Sequence, residues 1–182
     1  FISRKAMNID GFGTETIERL FKDNIIKNFA DIYNLKVDQL VKLERMAEKS
    51  AQNLVLAIDK SKSQPFHKVL FSLGIRHVGE TVSKKLSDHF GSVENLISAS
   101  YDEILNVDEI GEKIALSLKK YFQDQSKLEL LYKLKYVGLN FSQKKSENVV
   151  NKLLGKTFIV TGVFQKIDRT ALKDIITQNG GK

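Results

Sequence analysis

The residues best able to do chemistry here sit in short turns that recur along the chain. Ile9-Asp10-Gly11-Phe12-Gly13, Leu43-Glu44-Arg45-Met46-Ala47, Ile75-Arg76-His77-Val78-Gly79 and Val107-Asp108-Glu109-Ile110-Gly111 each place an apolar residue first and fourth and a small residue fifth. The chemistry such a turn supports is anion binding. A helix that starts after the small residue offers backbone N–H groups without intrahelical partners and the positive end of its dipole, which together suit a phosphate. The candidate ligating residues are Gly11, Gly13 and Thr14 in the first turn and Arg45, Ala47 and Lys49 in the second. In the third they are Arg76, His77, Gly79 and Thr81, and in the fourth Gly111 and Lys113. Such a turn needs a residue that tolerates positive φ or a close backbone approach, which accounts for glycine at 11, 13, 79 and 111 and makes Ala47 the poorest fit. Asp108 and Glu109 should repel a phosphate from the fourth turn, with Lys113 a partial offset. The first and third turns therefore rank highest, the second below them and the fourth last.

Covalent and metal chemistry find no support. The sequence has no cysteine and three scattered histidines, so it offers neither a disulfide nor a thiolate metal site. It shows no clustered carboxylates, no metal-ligand spacing and no nucleophile beside a base. His77 could hydrogen-bond a phosphate or cap its own turn. Arg45 and Arg76, placed inside turns, favour phosphate contact. The pairs Lys84-Lys85 and Lys119-Lys120 read as solvated faces with long-range attraction, and Phe66, Phe71, Phe90 and Phe122 as core.

The elements that must position the turns are short helices, because the chain has one proline and its Leu, Ile, Lys and Glu recur at helical spacing. The fifth residues of the turns, at 13, 47, 79 and 111, are 34, 32 and 32 apart, and each is followed seven residues later by leucine: Leu20, Leu54, Leu86 and Leu118. A longer period overlies this one. A shift of 64 residues lays Phe29–Ala47 on Val93–Gly111, so that Ile32 meets Leu96, Leu43 meets Val107 and Met46 meets Ile110. The chain thus reads as a duplicated pair of hairpins.

The 182 residues leave room for one or two domains, and a hydrophobic content of 42% can support a core. The net charge of +7 is local in origin. Lys60, Lys62, Lys68, Arg76, Lys84 and Lys85 face the single acid Glu80, whereas from Leu86 to Glu112 every charged residue apart from His89 is acidic. A local basic patch suits a footprint on a polyanion. No apolar run is long enough to span a bilayer. Phe1-Ile2-Ser3-Arg4-Lys5 has no apolar stretch of a leader peptide and is expected to be the cut edge of a longer protein. Ser142 to Asn148 is polar and unpatterned, a linker. After it, Thr157-Phe158-Ile159-Val160-Thr161-Gly162 reads as a strand ended by glycine and Thr170 to Gln178 as a helix ended by Asn179-Gly180-Gly181. The expected architecture is an all-α, duplicated helix-hairpin-helix domain over 1–141, a linker over 142–152 and an incomplete α/β segment over 153–182. Ile159, Val163, Leu172 and Ile175 of that segment should lack most of their partners.

These words resemble a known family. Arg4-Lys5-Ala6-Met7-Asn8-Ile9-Asp10-Gly11-Phe12-Gly13 is similar to the segment that follows the zinc finger in bacterial NAD-dependent DNA ligases. Leu43-Glu44-Arg45-Met46, Glu48-Lys49-Ser50-Ala51-Gln52-Asn53-Leu54 and Leu73-Gly74-Ile75-Arg76-His77-Val78-Gly79-Glu80 resemble that family's helix-hairpin-helix domain, and the Thr-Gly turn, helix and Gly-Gly of residues 157–181 resemble the opening of a BRCT domain. The resemblance implies a parent enzyme that seals nicks during DNA replication and repair, using NAD, magnesium and zinc. It also implies that this part holds nicked duplex by its backbone and minor groove, beside the other domains of the same ligase. It implies a cytoplasmic, nucleoid-associated protein, with the catalytic domains before Phe1 and no cofactor bound in this stretch. Two departures stand out: the family usually has glycine at Ala47 and Pro-Gly near Asp108-Glu109. Asn8-Ile9-Asp10-Gly11 lies one residue from the K-x-D-G adenylation signature, but an Asn8 amide cannot form a phosphoramidate. The expected role is sequence-independent grip on duplex DNA. The alternative is a scaffold that ties zinc finger to BRCT domain or docks a protein.

Overall fold

The computed structural model describes residues 1–44, 46–143, 153–162, 167 and 169–181, without the side chains of 170, 174 and 178. It divides into two units, Phe1–Gln143 and Lys144–Lys182.

The first unit is helical throughout. Its elements are α1 (Thr14–Lys22), a 3₁₀ helix (Phe29–Asn34), α2 (Val37–Leu40), α3 (Glu48–Ser61), α4 (Phe66–Ser72) and α5 (Glu80–Phe90). They continue with α6 (Val93–Ser98), α7 (Tyr101–Leu105), α8 (Glu112–Gln123) and α9 (Gln125–Tyr136). The duplication is exact at the caps. Asn28 caps the 3₁₀ helix and Ser92, at 28 + 64, caps α6; Lys36 precedes α2 and Ser100, at 36 + 64, caps α7. Helices α2, α4 and α7 lead into the second, third and fourth turns, while residues 3–7 before the first turn form a tight turn closed by Ala6 N–H and Asn8 N–H on the Ser3 carbonyl.

The core follows from the repeat. The leucines seven residues past each turn, Leu20, Leu54, Leu86 and Leu118, are at most 2% exposed. Ile9, Phe12, Leu43, Ile75, Val78, Val107 and Ile110 are buried at the first and fourth turn positions, with Met46 packed against the same cluster. Each turn is thereby anchored at two points, with about 1.5–3 kcal/mol of hydrophobic stabilisation per fully buried side chain. At the fourth residue of α3, α5 and α8 stand the small residues Ala51, Ser83 and Ala115, all fully buried. Phe66 and Phe122 are buried as expected, and Phe71 and Phe90 partly so. The unit closes when Ser142 pairs with Ser92, Gln143 N–H donates to Gly91 O, and the Gln143 amide donates to Ser87 and Asp88. The helical unit thus takes in two residues assigned to the linker by sequence; residues 144–152 of that linker lie outside the described residues.

The second unit holds α10 (Arg169–Gln178). The strand expected over 157–161 does not form: these residues carry no ladder, since a single β segment has no neighbour to pair with among the described residues. Ile176 is buried, and Gly181 packs so close to it and to Phe158 that an added Cβ would lie 2.7 Å from Ile176 Cγ2. Ile159 and Ile175 are exposed and Leu172 is partly covered; Val163 lies outside the described residues.

Candidate functional site

The fifth residue of every turn is the N-cap of the helix that follows, in extended backbone: Gly13 (φ −73°), Ala47 (φ −70°), Gly79 (φ −82°) and Gly111 (φ −96°). This corrects the expectation of positive φ at 13, 79 and 111, and Ala47 is unstrained. The chain reverses at the third position instead, where Gly11 (φ +80°), His77 (φ +66°) and Glu109 (φ +61°) are left-handed. Arg45, third in the second turn, lies outside the described residues. A left-handed non-glycine costs on the order of 1–2 kcal/mol, which the buried anchors on either side sustain at His77 and Glu109.

Glycine at the fifth position therefore needs another reason. A Cβ built on Gly13, Gly79 or Gly111 meets nothing within 4 Å, so neither backbone nor packing demands its absence. What the missing side chain does is leave the helix start uncovered. Gly13, Ala47, Gly79 and Gly111 make no side-chain cap, and the first helical bonds run from Ile17, Ala51, Ser83 and Ile114 or Ala115 back to them. Elsewhere in the unit Asn28, Ser92, Ser100 and Asp124 cap their helices with side-chain oxygens. The hairpin helices are thus left with exposed donors and a positive dipole end.

Every described candidate is exposed: Gly11, Gly13, Thr14, Ala47, Lys49, Arg76, His77, Gly79, Thr81, Gly111 and Lys113. The structure places Lys49, Thr81 and Lys113 at the second residue of their helices, where α1 carries the acid Glu15. Around the first turn lies an open groove of about 510 Å³ that brings Arg4 beside Asn8 and Asp10 to Gly13. Around the third lies another of about 430 Å³ with Arg76 and His77 on its wall.

The fourth turn differs from expectation in its electrostatics. Lys85 Nζ lies 2.8 Å from Asp108 Oδ2 and 2.9 Å from Glu109 Oε1, so the two acids share an internal counter-ion. The contact with Asp108 first, and then Glu109, holds the Lys85 ammonium above its usual range, and Lys85 holds the Asp108 carboxyl below its own. Lys85 is therefore an ion-pair partner and not part of a solvated face. Lys119 likewise departs from that reading, since its ammonium donates to Ala99 O at 2.8 Å and closes the end of α6. Across the unit Lys5 pairs with Glu80 at 3.5 Å, which ties the segment before the first turn to the helix after the third.

Paired turns, uncovered helix starts and a duplicated scaffold define a tandem helix-hairpin-helix module. Residues 3–60 match the family described as SAM-like Helix-hairpin-helix tandem and residues 68–131 the Helix-hairpin-helix motif, so the first unit has the helix-hairpin-helix fold over these stretches. Over its full length it is 50% identical to a DNA ligase of Christiangramia forsetii, 48% to one of Flavobacterium psychrophilum and 44% to one of Bacteroides fragilis. The chain spans 28% of the length of each of these relatives.

Proposed function

We propose that the chain is a non-catalytic clamp on duplex DNA, the part of an NAD-dependent DNA ligase that holds the backbone across the minor groove around a nick. The observation that carries this reading is the set of four helix starts, in one register, left uncapped by side chains, whereas four of the six connecting helices among the described residues (the 3₁₀ helix, α6, α7 and α9) carry side-chain caps and α2 and α4 do not. Contacts of this kind grip the backbone and carry no base readout. The chain's own residues do not fit the cofactors of such an enzyme. Asn8-Ile9-Asp10-Gly11, the near-match to K-x-D-G, lacks the lysine that adenylation requires, the sequence has no cysteine for zinc, and no group of three or more His, Asp or Glu among the described residues could hold a metal. NAD, magnesium and zinc are assigned to other parts of the longer protein, which acts in replication and repair in the bacterial cytoplasm at the nucleoid. Among the described residues no helix is long and apolar enough to cross a membrane.

A second reading, a scaffold whose turns serve packing, is favoured at the fourth turn by the Lys85 ion pairs. Fluorescence anisotropy of the 182-residue chain with an unmodified mixed-sequence duplex distinguishes the two. Neutralising four to six phosphates gives a slope of log affinity against log salt of roughly −4 to −5. A flat salt response, or strong dependence on base sequence, overturns the clamp.

A further inference from the structure

The third and fourth turns are related by a shift of 32 residues, and the same shift relates the helices that face them. Lys85 of α5 faces the fourth turn. Its counterpart at 85 + 32 is Ser117 of α8, and Ser117 stands beside the third turn. The two positions behave differently. Lys85 reaches across and closes on Asp108 and Glu109, whereas the Ser117 hydroxyl turns back to donate to Lys113 O in its own helix at 2.8 Å. The third-turn side is therefore open, a groove of about 430 Å³ lined by Arg76, His77, Ser117, Lys120, Tyr121 and Lys127.

The charges are exchanged between the two sides as well. Arg76 and His77 occupy the turn positions that Asp108 and Glu109 occupy 32 residues on, and Lys120 occupies the position that is Asp88 in α5. The groove carries three cations, Arg76, Lys120 and Lys127, against the single acid Asp124. That carboxylate is committed to the start of α9, where it accepts from Ser126 N–H at 2.9 Å and Ser126 Oγ at 2.6 Å. The fourth-turn side sets Lys84 and Lys85 against Asp88, Asp108 and Glu109. Ile75 and the exposed Leu116 give the groove an apolar floor, which suits the sugar face of a nucleotide.

We propose that this groove is a second backbone-phosphate site, in which Lys120 and Lys127 take the phosphodiester that continues the strand held at the third turn. It rests on the reading that the third turn binds duplex DNA. The site extends the contact from the turn onto α8 and α9, and it has no equivalent at the fourth turn.

The test compares two double variants of the full chain, Lys120→Ala/Lys127→Ala and Lys36→Ala/Lys133→Ala. All four lysines are exposed and each pair removes the same charge. Anisotropy with the mixed-sequence duplex is read across salt concentrations. Loss of two phosphate contacts reduces the magnitude of the salt slope by roughly 1.8 and weakens binding at least fivefold at low salt, while the control pair leaves the slope as it was. Equal slopes in the two variants overturn the groove and leave the clamp standing; a wild-type chain that shows no salt-dependent binding overturns the clamp, and the groove with it. Duplex titration followed by NMR on the wild-type chain is independent of any variant's folding: the ammonium-bearing methylene signals of Lys120 and Lys127 shift if the proposal holds, and unmoved signals refute it.

Discussion

Replacing Gly79 by aspartate separates what the third turn does for the fold from what it does for DNA. Gly79 is the N-cap of α5 with φ −82° and ψ −177°, and an added Cβ meets nothing within 4 Å, so aspartate enters without strain. Aspartate is among the best N-cap residues, and its carboxylate can accept from the N–H of Thr81 or Val82. The gain over glycine is a few tenths of a kcal/mol for the cap. A favourable dipole term of about 0.3–1 kcal/mol adds to it, reduced by the neighbouring Glu80. About 0.5–1 kcal/mol in all raises Tm by roughly 1–4 °C for a chain of this size. The effect on DNA has the opposite sign, because the donors are then satisfied internally and a negative charge occupies the phosphate position. Loss of hydrogen bonds to a charged group costs about 1.5–3 kcal/mol, a roughly 10- to 150-fold weaker affinity. Thermal melts by circular dichroism and anisotropy with duplex, on the same preparation, measure both. Unchanged affinity would mean that the uncapped amides hold no phosphate. A lowered Tm would mean that glycine is there for the fold. Gly111→Asp, at the N-cap of α8, brings the same gain in stability but a smaller loss of binding, since Asp108 and Glu109 outnumber Lys85 beside it; equal losses at 79 and 111 refute the ranking of the turns.

Ser83 is fully buried with no hydrogen-bond partner for Oγ, and the repeat places alanine at two of the three equivalent positions (51 and 115) and isoleucine at the other (17), so Ser83→Ala is expected to raise stability by about 1 kcal/mol in a denaturant titration; a loss of stability contradicts it. Acid lowers stability through Asp108 and Glu94, whose pKa values are held down by Lys85 and Lys135: their contribution is complete above their ordinary values of 3.8 and 4.5 and is lost as pH falls through the lower folded values. At the alkaline end burial pushes Tyr33 and Tyr121 up to about 12 from 10.0, so the stability that they contribute is present below pH 10 and lost as pH rises towards 12; absorbance titration with two late phenols checks it. Incubation with NAD and magnesium should leave the intact mass unchanged, and an AMP adduct on any lysine would overturn the assignment of a non-catalytic role. Amides of 153–162, which carry no ladder, should exchange faster than those of α4, α5 and α8, and equal protection would show that this segment forms a complete fold of its own.

The periodic part of the fold was legible because it rests on local pattern. Helix starts, buried leucines and the 64-residue register all follow from spacing, and the caps Asn28 and Ser92 keep that register in the structure. Two features were not legible. Glycine signalled an unusual backbone at 11, 13, 79 and 111, yet only Gly11 adopts one; the left-handed residues at the equivalent third positions are His77 and Glu109, held there by the buried residues on either side. The strand over 157–161 was read from β-rich composition, but a strand is defined by a neighbour, and among the described residues there is none.

Charge was the hardest signal to read, since sequence shows how many acids lie near a turn and not which cation faces them. Lys85 and Asp108 are 23 residues apart and meet only because α5 runs from the third turn to the fourth. In the first half Arg19 of α1 corresponds by register to Lys85 and Glu44 of the second turn to Asp108, but Arg19 closes on Asp23 beside its own helix. Arg19 bonds first to Asp23 at 2.8 Å, and Glu44 adds to the field that holds its guanidinium above the usual range. Among the described residues, then, a cation on the first hairpin's helix closes an ion pair with the second hairpin's turn in the second pair, and in the first pair it adds only a long-range attraction to Glu44. The first and third turns have no such attendant in that register: position 117 is Ser and the corresponding residue of α3 is Asn53. The shared register thus gives the first hairpin of each pair a cation at this helical position, Arg19 or Lys85, and the second hairpin Asn53 or Ser117. On the clamp reading, phosphate contact concentrates at the first and third turns, which the Lys5–Glu80 pair links, and the second and fourth brace them.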